Sequence, residues 1–163
     1  MTAPGNAERA FVQYLEGLCE REDRAALAAL RRGLGKRPGE AAEMHPYVVP
    51  WLPPDGTPGQ EEPYYLIASL FAWHPVSWPA GGRPDETTNL GASFARLAQS
   101  AESGSLEARF VALLNCHQED LPAHLRRAVG LLKAREIPVD WAQLLSDVRG
   151  WGRESRSVQL DWA

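Results

Sequence analysis

The chain has 163 residues, of which 44% are hydrophobic and 23% charged, and its formal net charge is −4. The apolar fraction excludes wholesale disorder, a chain this long can fold without disulfides or a structural metal, and no apolar run approaches the ~18 residues of a membrane span. An acidic total argues against a free-standing nucleic-acid binder. The basic residues, however, are 15 Arg and only 2 Lys, and arginine's planar fork suits phosphate.

Helical periodicity runs along most of the chain. Ala7, Ala10, Phe11, Tyr14, Leu15 and Leu18 recur at three- and four-residue steps and predict a first helix of about four turns. Asp23 starts a second segment with Leu27, Leu30 and Leu34 on one face, stopped by Gly33 and Gly35. Pro38 opens a short helix through Met44, and Pro46 ends it. The stretch from Tyr47 to Pro63 holds five prolines and two glycines. It reads as a surface loop anchored by Val48, Val49, Trp51 and Leu52. Pro63 then introduces YYLIASLFAW, apolar on almost every side and so central in the core.

A second Pro/Gly loop, HPVSWPAGGRPDETT, is the best boundary between two lobes, 1–80 and 84–163, within one all-helical domain spanning 1–163. Beyond it Asn89 caps a helix through Ser100, and SGS breaks it. Ser105 begins another, with Leu106, Phe110, Leu113 and Leu114 on its buried side. Asp120, with Pro122 in the first turn, caps PAHLRRAVGLLKAR, and Asp140 caps WAQLLSDVRGW with its stripe of Trp141, Leu144, Leu145, Val148 and Trp151. The tail forms a short helix. The fold class is all-α, a compact helical bundle.

Enzymatic chemistry finds little support. There is no HExxH motif, Cys/His quartet, GxSxG elbow, GxxxxGK[ST] loop or GxGxxG turn. His117, Glu119 and His124 would have to converge on one ion to make a metal-dependent hydrolase, and Pro122 breaks any shared helical face. Cys116 beside His117 points about 100° away on a helix, so the imidazole does not reach the thiol. Cys19 and Cys116 have no CxxC partner, which fits a reducing cytoplasm, with one long-range disulfide as the alternative. No signal-peptide core is present in MTAPGNAERA.

The arginines are placed differently. Arg31 and Arg32 close the second helix, and Arg126 and Arg127 sit in a window from Leu121 to Arg135 that has no acid. Arg96 lies alone on its helix, Arg109 sits a turn into the next, and Arg149, Arg153 and Arg156 recur at helical spacing. Turned the same way, these faces make a basic stripe despite the negative total. The plainer reading has Arg31, Arg32 and Arg135 complementing helix C-termini, and the rest lying on solvated faces.

At these arginine pairs the chain resembles the CasB family, the small subunit of the type I-E CRISPR surveillance complex, Cascade. The resemblance rests on LAALRRGLG, TTNLGASFARLAQS and the long block from SLEARF to QLDWA, in that order over nearly the whole chain. It implies a non-catalytic, cytoplasmic, all-helical subunit without a cofactor. Its partners would be the other Cascade subunits, a second copy of itself, CRISPR RNA, the target DNA strand and the displaced non-target DNA strand. The family's basic positions fall on Arg31, Arg32, Arg96, Arg109, Arg126, Arg127, Lys133, Arg149 and Arg153, with Arg156 and Lys36 as weaker matches. Such contacts would hold guide–target backbones and stabilise the displaced strand, since exchanging a DNA duplex for an RNA–DNA heteroduplex is nearly balanced. The other reading of the same pattern is a helical protein–protein adaptor or spacer without direct nucleic-acid contact.

Overall fold

A computed structural model of the chain describes residues 3–79, 86–100 and 104–163. Among these residues it has nine α-helices and no strand: α1 (Asn6–Glu20), α2 (Arg24–Arg31), α3 (His45–Val48), α4 (Pro58–Trp73), α5 (Leu90–Ser100), α6 (Gly104–Asn115), α7 (Leu121–Ala134), α8 (Trp141–Arg149) and α9 (Ser157–Trp162). The all-α expectation holds. The lobe boundary expected in the loop HPVSWPAGGRPDETT and the helix break at the SGS step fall partly outside the described residues.

Local chemistry sets the helix starts. The Asp23 carboxylate accepts the Ala26 N–H at 3.1 Å, Asn89 Oδ1 accepts from Ala92 at 3.0 Å, and Asp140 accepts from Gln143 at 3.0 Å. Each satisfies one of the orphan donors of a first helical turn. Asp120 stands at the start of α7 but makes no such bond, because its backbone is already helical (φ −90°, ψ −11°). An N-cap side chain needs the extended conformation to reach back over the first turn.

The proline-rich stretch differs most from expectation. Pro46 opens α3 instead of ending a helix, and 3-10 turns at Ala42–Met44 and Val49–Trp51 flank it. Helix α4 starts at Pro58, five residues before the expected Pro63. Gln60 Oε1 accepts the Thr57 N–H at 2.9 Å, and Pro58 occupies the first turn, where a missing donor costs nothing. Pro63 is buried in the second turn of the same helix. It forfeits a single backbone bond, which burial of the apolar residues behind it offsets.

Helix α4 is the central element, in contact with α1, α2, α7 and α8. Tyr64, Ile67, Ala68, Leu70 and Phe71 are buried on several sides of it. Phe71 meets Trp141 of α8 edge to face at 5.8 Å, and Tyr64 meets Phe11 of α1 at 5.2 Å. Each such side chain contributes about 1.5–3 kcal/mol by leaving water. After α4 the chain turns at His74, whose buried Nε2–H donates to Ile137 O at 2.7 Å. An isolated parallel bridge, Ser77 to Val139, ties this turn to the entry of α8. The closing helix α9 is seated by Trp162, packed on Trp151 at 4.9 Å, with its indole N–H donating to Asp147 Oδ2 at 2.8 Å.

Candidate nucleic-acid interface

The nine expected cations fall into three environments. Arg149 belongs to the fold: its Nη1 donates to Glu8 Oε1 at 2.6 Å, and the guanidinium lies 5.7 Å from the Tyr64 ring centroid. Glu8 itself is buried and also holds the Gly5 N–H at the start of α1. Removing Arg149 would strand a buried charge, so its first task is structural. Arg156 is exposed but also engaged with the fold, its Nη2 donating to Leu114 O at 2.8 Å. The expected helical face of Arg149, Arg153 and Arg156 therefore does not form. Helix α8 ends at Arg149, and a GWG turn carries the chain to Arg156, which adopts a left-handed backbone (φ 51°).

Three more cations have a partner but stay open to solvent. Arg31 donates to Ala72 O at 3.3 Å, and Arg32 lies 3.7 Å from the Glu43 carboxylate with both side chains about half exposed. An ion pair so open to water contributes little, and both remain available to a ligand. Arg96 is held 5.2 Å over the Trp78 ring, a cation–π contact that fixes its guanidinium at the surface. Trp78 is thus a support for Arg96. Trp141 and Trp151 are core, as the apolar stripe predicts, their indoles donating to Val76 O and Cys116 O.

The remaining five, Arg109, Arg126, Arg127, Lys133 and Arg153, are exposed. No side-chain hydrogen bond or ion pair joins any of these five to another described residue. Arg126 and Lys133 lie seven residues, about two turns, apart on the solvent side of α7, with Arg127 exposed next to Arg126.

Beside α7 lies a groove of about 720 Å³, walled on its far side by the turn that follows α2. Lys36, Arg37, Arg126 and Arg127 border it, with Glu119 the one acid of the lining. Leu34, Met44, Leu66, Leu70 and Trp73 supply an apolar floor. Gly35 shapes the rim: it has φ +75°, and a Cβ there would collide with Arg126 Nη1. Arg37 was not singled out by spacing. The available signal was the short GKRPG run between two helices, which brings charge to a turn.

Metal and nucleophile chemistry find no constellation among the described residues. No three His, Cys, Asp or Glu side chains converge, so His117, Glu119 and His124 do not form a ligand set. Both cysteines are free thiols. Burial, aided by nearby Asp120, pushes the Cys116 thiol up, away from the thiolate a nucleophile requires. No described helix is long and apolar enough to cross a membrane.

A helical bundle with exposed cations beside an apolar groove presents a surface of the kind that macromolecules bind. Comparison makes this specific. The family described as CRISPR-associated protein Cse2 matches residues 26–163. The Cse2 protein of Thermus thermophilus is 34% identical, the alignment covering 99% of this chain and 88% of the relative. Among solved structures, M. ruber CasB is 33% identical with a TM-score of 0.81, covering 97% and 90% of the two chains. A chain of a CRISPR RNA-guided surveillance complex is 29% identical with a TM-score of 0.78, covering 96% and 88%. The chain belongs to the Cse2 (CasB) family.

Proposed function

We propose that the chain is a non-catalytic subunit of a type I-E CRISPR RNA-guided surveillance complex. There it sits with a second copy of itself and touches guide–target backbones and the displaced DNA strand. Its family and its likeness to a chain of such a complex support membership. The observation that supports the nucleic-acid role is a group of exposed cations outside the groove, Arg109, Lys133 and Arg153, that the fold leaves without a side-chain partner. Phosphate contacts of this kind position a strand without reading its sequence. A few of them suffice, because R-loop formation is close to balanced.

The test is a reconstituted complex carrying Arg109→Ala, Lys133→Ala and Arg153→Ala together. The variant subunit is expected to enter the complex, shorten the lifetime of the unwound state, and leave target-sequence preference unchanged. Each lost contact flattens the dependence of log K on log salt by about one unit or less. An unchanged R-loop lifetime would overturn the assignment of these three residues.

A further inference from the structure

The groove beside α7 asks for a different ligand from the open cations around it. We infer that it is a docking site for a protein segment of a neighbouring subunit, one that inserts apolar side chains flanked by carboxylates. The floor argues against nucleic acid. Leu34 and Leu66 are aliphatic and partly exposed, with Leu70 buried beneath them, and the polar groups among them are already engaged. Ser69 donates its hydroxyl to Leu66 O at 2.9 Å, and the Tyr65 hydroxyl is hydrogen-bonded to His45 Nδ1 at 2.9 Å. Trp73 abuts Gly130, where a Cβ would lie 3.1 Å from the edge of its benzo ring. A nucleobase seated here would leave its edge donors and acceptors unmet, and a phosphate would lose its water for an aliphatic surface. Apolar side chains gain on that floor what bases and phosphates lose.

The rim fixes the charge of the occupant. Four cations, Lys36, Arg37, Arg126 and Arg127, face one carboxylate, Glu119, on a chain whose total is −4. This is a local positive surplus aimed at a segment rich in Asp and Glu, and complementarity of this kind selects the partner and its register. A volume of about 720 Å³ exceeds one side chain and accommodates a short run of residues with more than one anchor. The walls are prepared in advance: Glu40 accepts the Arg37 N–H at 3.1 Å, closing the turn, and Arg126 lies against Gly35. A preformed, cation-rimmed groove spends little ordering entropy on binding.

The inference rests on the reading that the chain works within the surveillance complex, and it divides the cations. The four on the rim face a protein partner, whereas Arg109, Lys133 and Arg153 face phosphate. The experiment is photocrosslinking in the reconstituted complex with Ala123→p-benzoylphenylalanine, and in parallel Arg37→p-benzoylphenylalanine. Both positions are exposed and line the groove, so the fold is expected to tolerate them. The expected adduct is a subunit peptide in which an apolar residue lies within about four positions, one helical turn, of two or more Asp or Glu. Lys36→Glu with Arg37→Glu should lower that adduct about tenfold or more. An adduct on RNA or DNA, on a segment without carboxylates, or no adduct from a complex that has taken up the probe would each overturn the proposal. Exclusion of the unmodified chain from the complex, seen before irradiation, would instead overturn the reading on which it rests.

Discussion

Asp147 carries its carboxylate inside the bundle, where Trp162 N–H and the Gln143 side-chain amide at 2.9 Å donate to it. Burial pushes its pKa up to about 6 against the pull of those two donors, with Asp161 and Asp140 adding a smaller push. A raised acid destabilises the native state when ionised. Unfolded, Asp147 loses its proton near pH 4, whereas in the fold it keeps it to about pH 6. The native state therefore binds more protons across that window, and stability falls as pH rises from about 4 to about 6, then levels. At about 1.4 kcal/mol per unit, the contribution is of the order of 3 kcal/mol. Glu16, also raised by burial, acts in the same direction. His74, lowered by burial, acts in the opposite one. The measurement is thus a difference: Asp147→Asn against parent in urea unfolding at pH 4.5 and pH 7. The variant should gain on the parent as pH rises, and an unchanged difference would show that the Asp147 charge is already compensated. None of this was visible in the sequence, where Asp147 is one polar residue on a helix. Arg149 was misleading for the same reason. Its partner Glu8 lies 141 positions away, and no local spacing reveals a pair of that separation.

At the scale of elements, the helices most readable from sequence were those with a cap residue and a one-sided stripe. Helices α2, α5 and α8 follow Asp23, Asn89 and Asp140, and their side chains make the bonds the spacing predicts. The start of α4 was harder because prolines signal loops locally. The capping arrangement of Thr57 and Gln60 and the burial of Pro63 are properties of the assembled helix. The contact between α5 and α9 was not legible at all. Gly91 of α5 lies against the backbone carbonyl of Trp162, so closely that a Cβ would collide with it. Backbone cannot swing aside as a flexible side chain does, so Gly91→Ala should drive α9 off its seat. The expected cost is about 2–3 kcal/mol, in the range of overpacked sites, with loss of the near-ultraviolet dichroism of the Trp151–Trp162 pair. Gly104→Ala serves as the control, because no atom lies within 4 Å of a Cβ built there. That variant should unfold within about 1 kcal/mol of the parent. Equal losses in the two would mean that the approach at Gly91 relaxes freely.

For the molecule as a whole, the charge sum and the charge placement lead to a quantitative expectation about the isolated chain. Against a total of −4, the unpaired cations proposed as phosphate or carboxylate ligands fall into two groups, the groove rim and the open positions Arg109, Lys133 and Arg153. At 0.1 M salt the screening length is about 10 Å, so a phosphate feels its neighbouring arginines more than the distant acids. If only the open cations meet phosphate, about three counterions leave a bound duplex, and the slope of log K against log salt is about −3. Were the four rim cations to bind the same duplex, the slope would approach about −6. With three contacts and a net negative chain, affinity outside the complex should be no better than the non-specific range of about 10⁻⁴–10⁻⁶ M. Titration of a fluorescent DNA duplex between 50 and 200 mM salt measures both quantities on one sample. A shallow slope with weak binding fits a subunit that holds strands only once assembled, its groove kept for protein. A slope near −6 with submicromolar binding would place all seven cations on one nucleic-acid face and remove the distinction between rim and open surface.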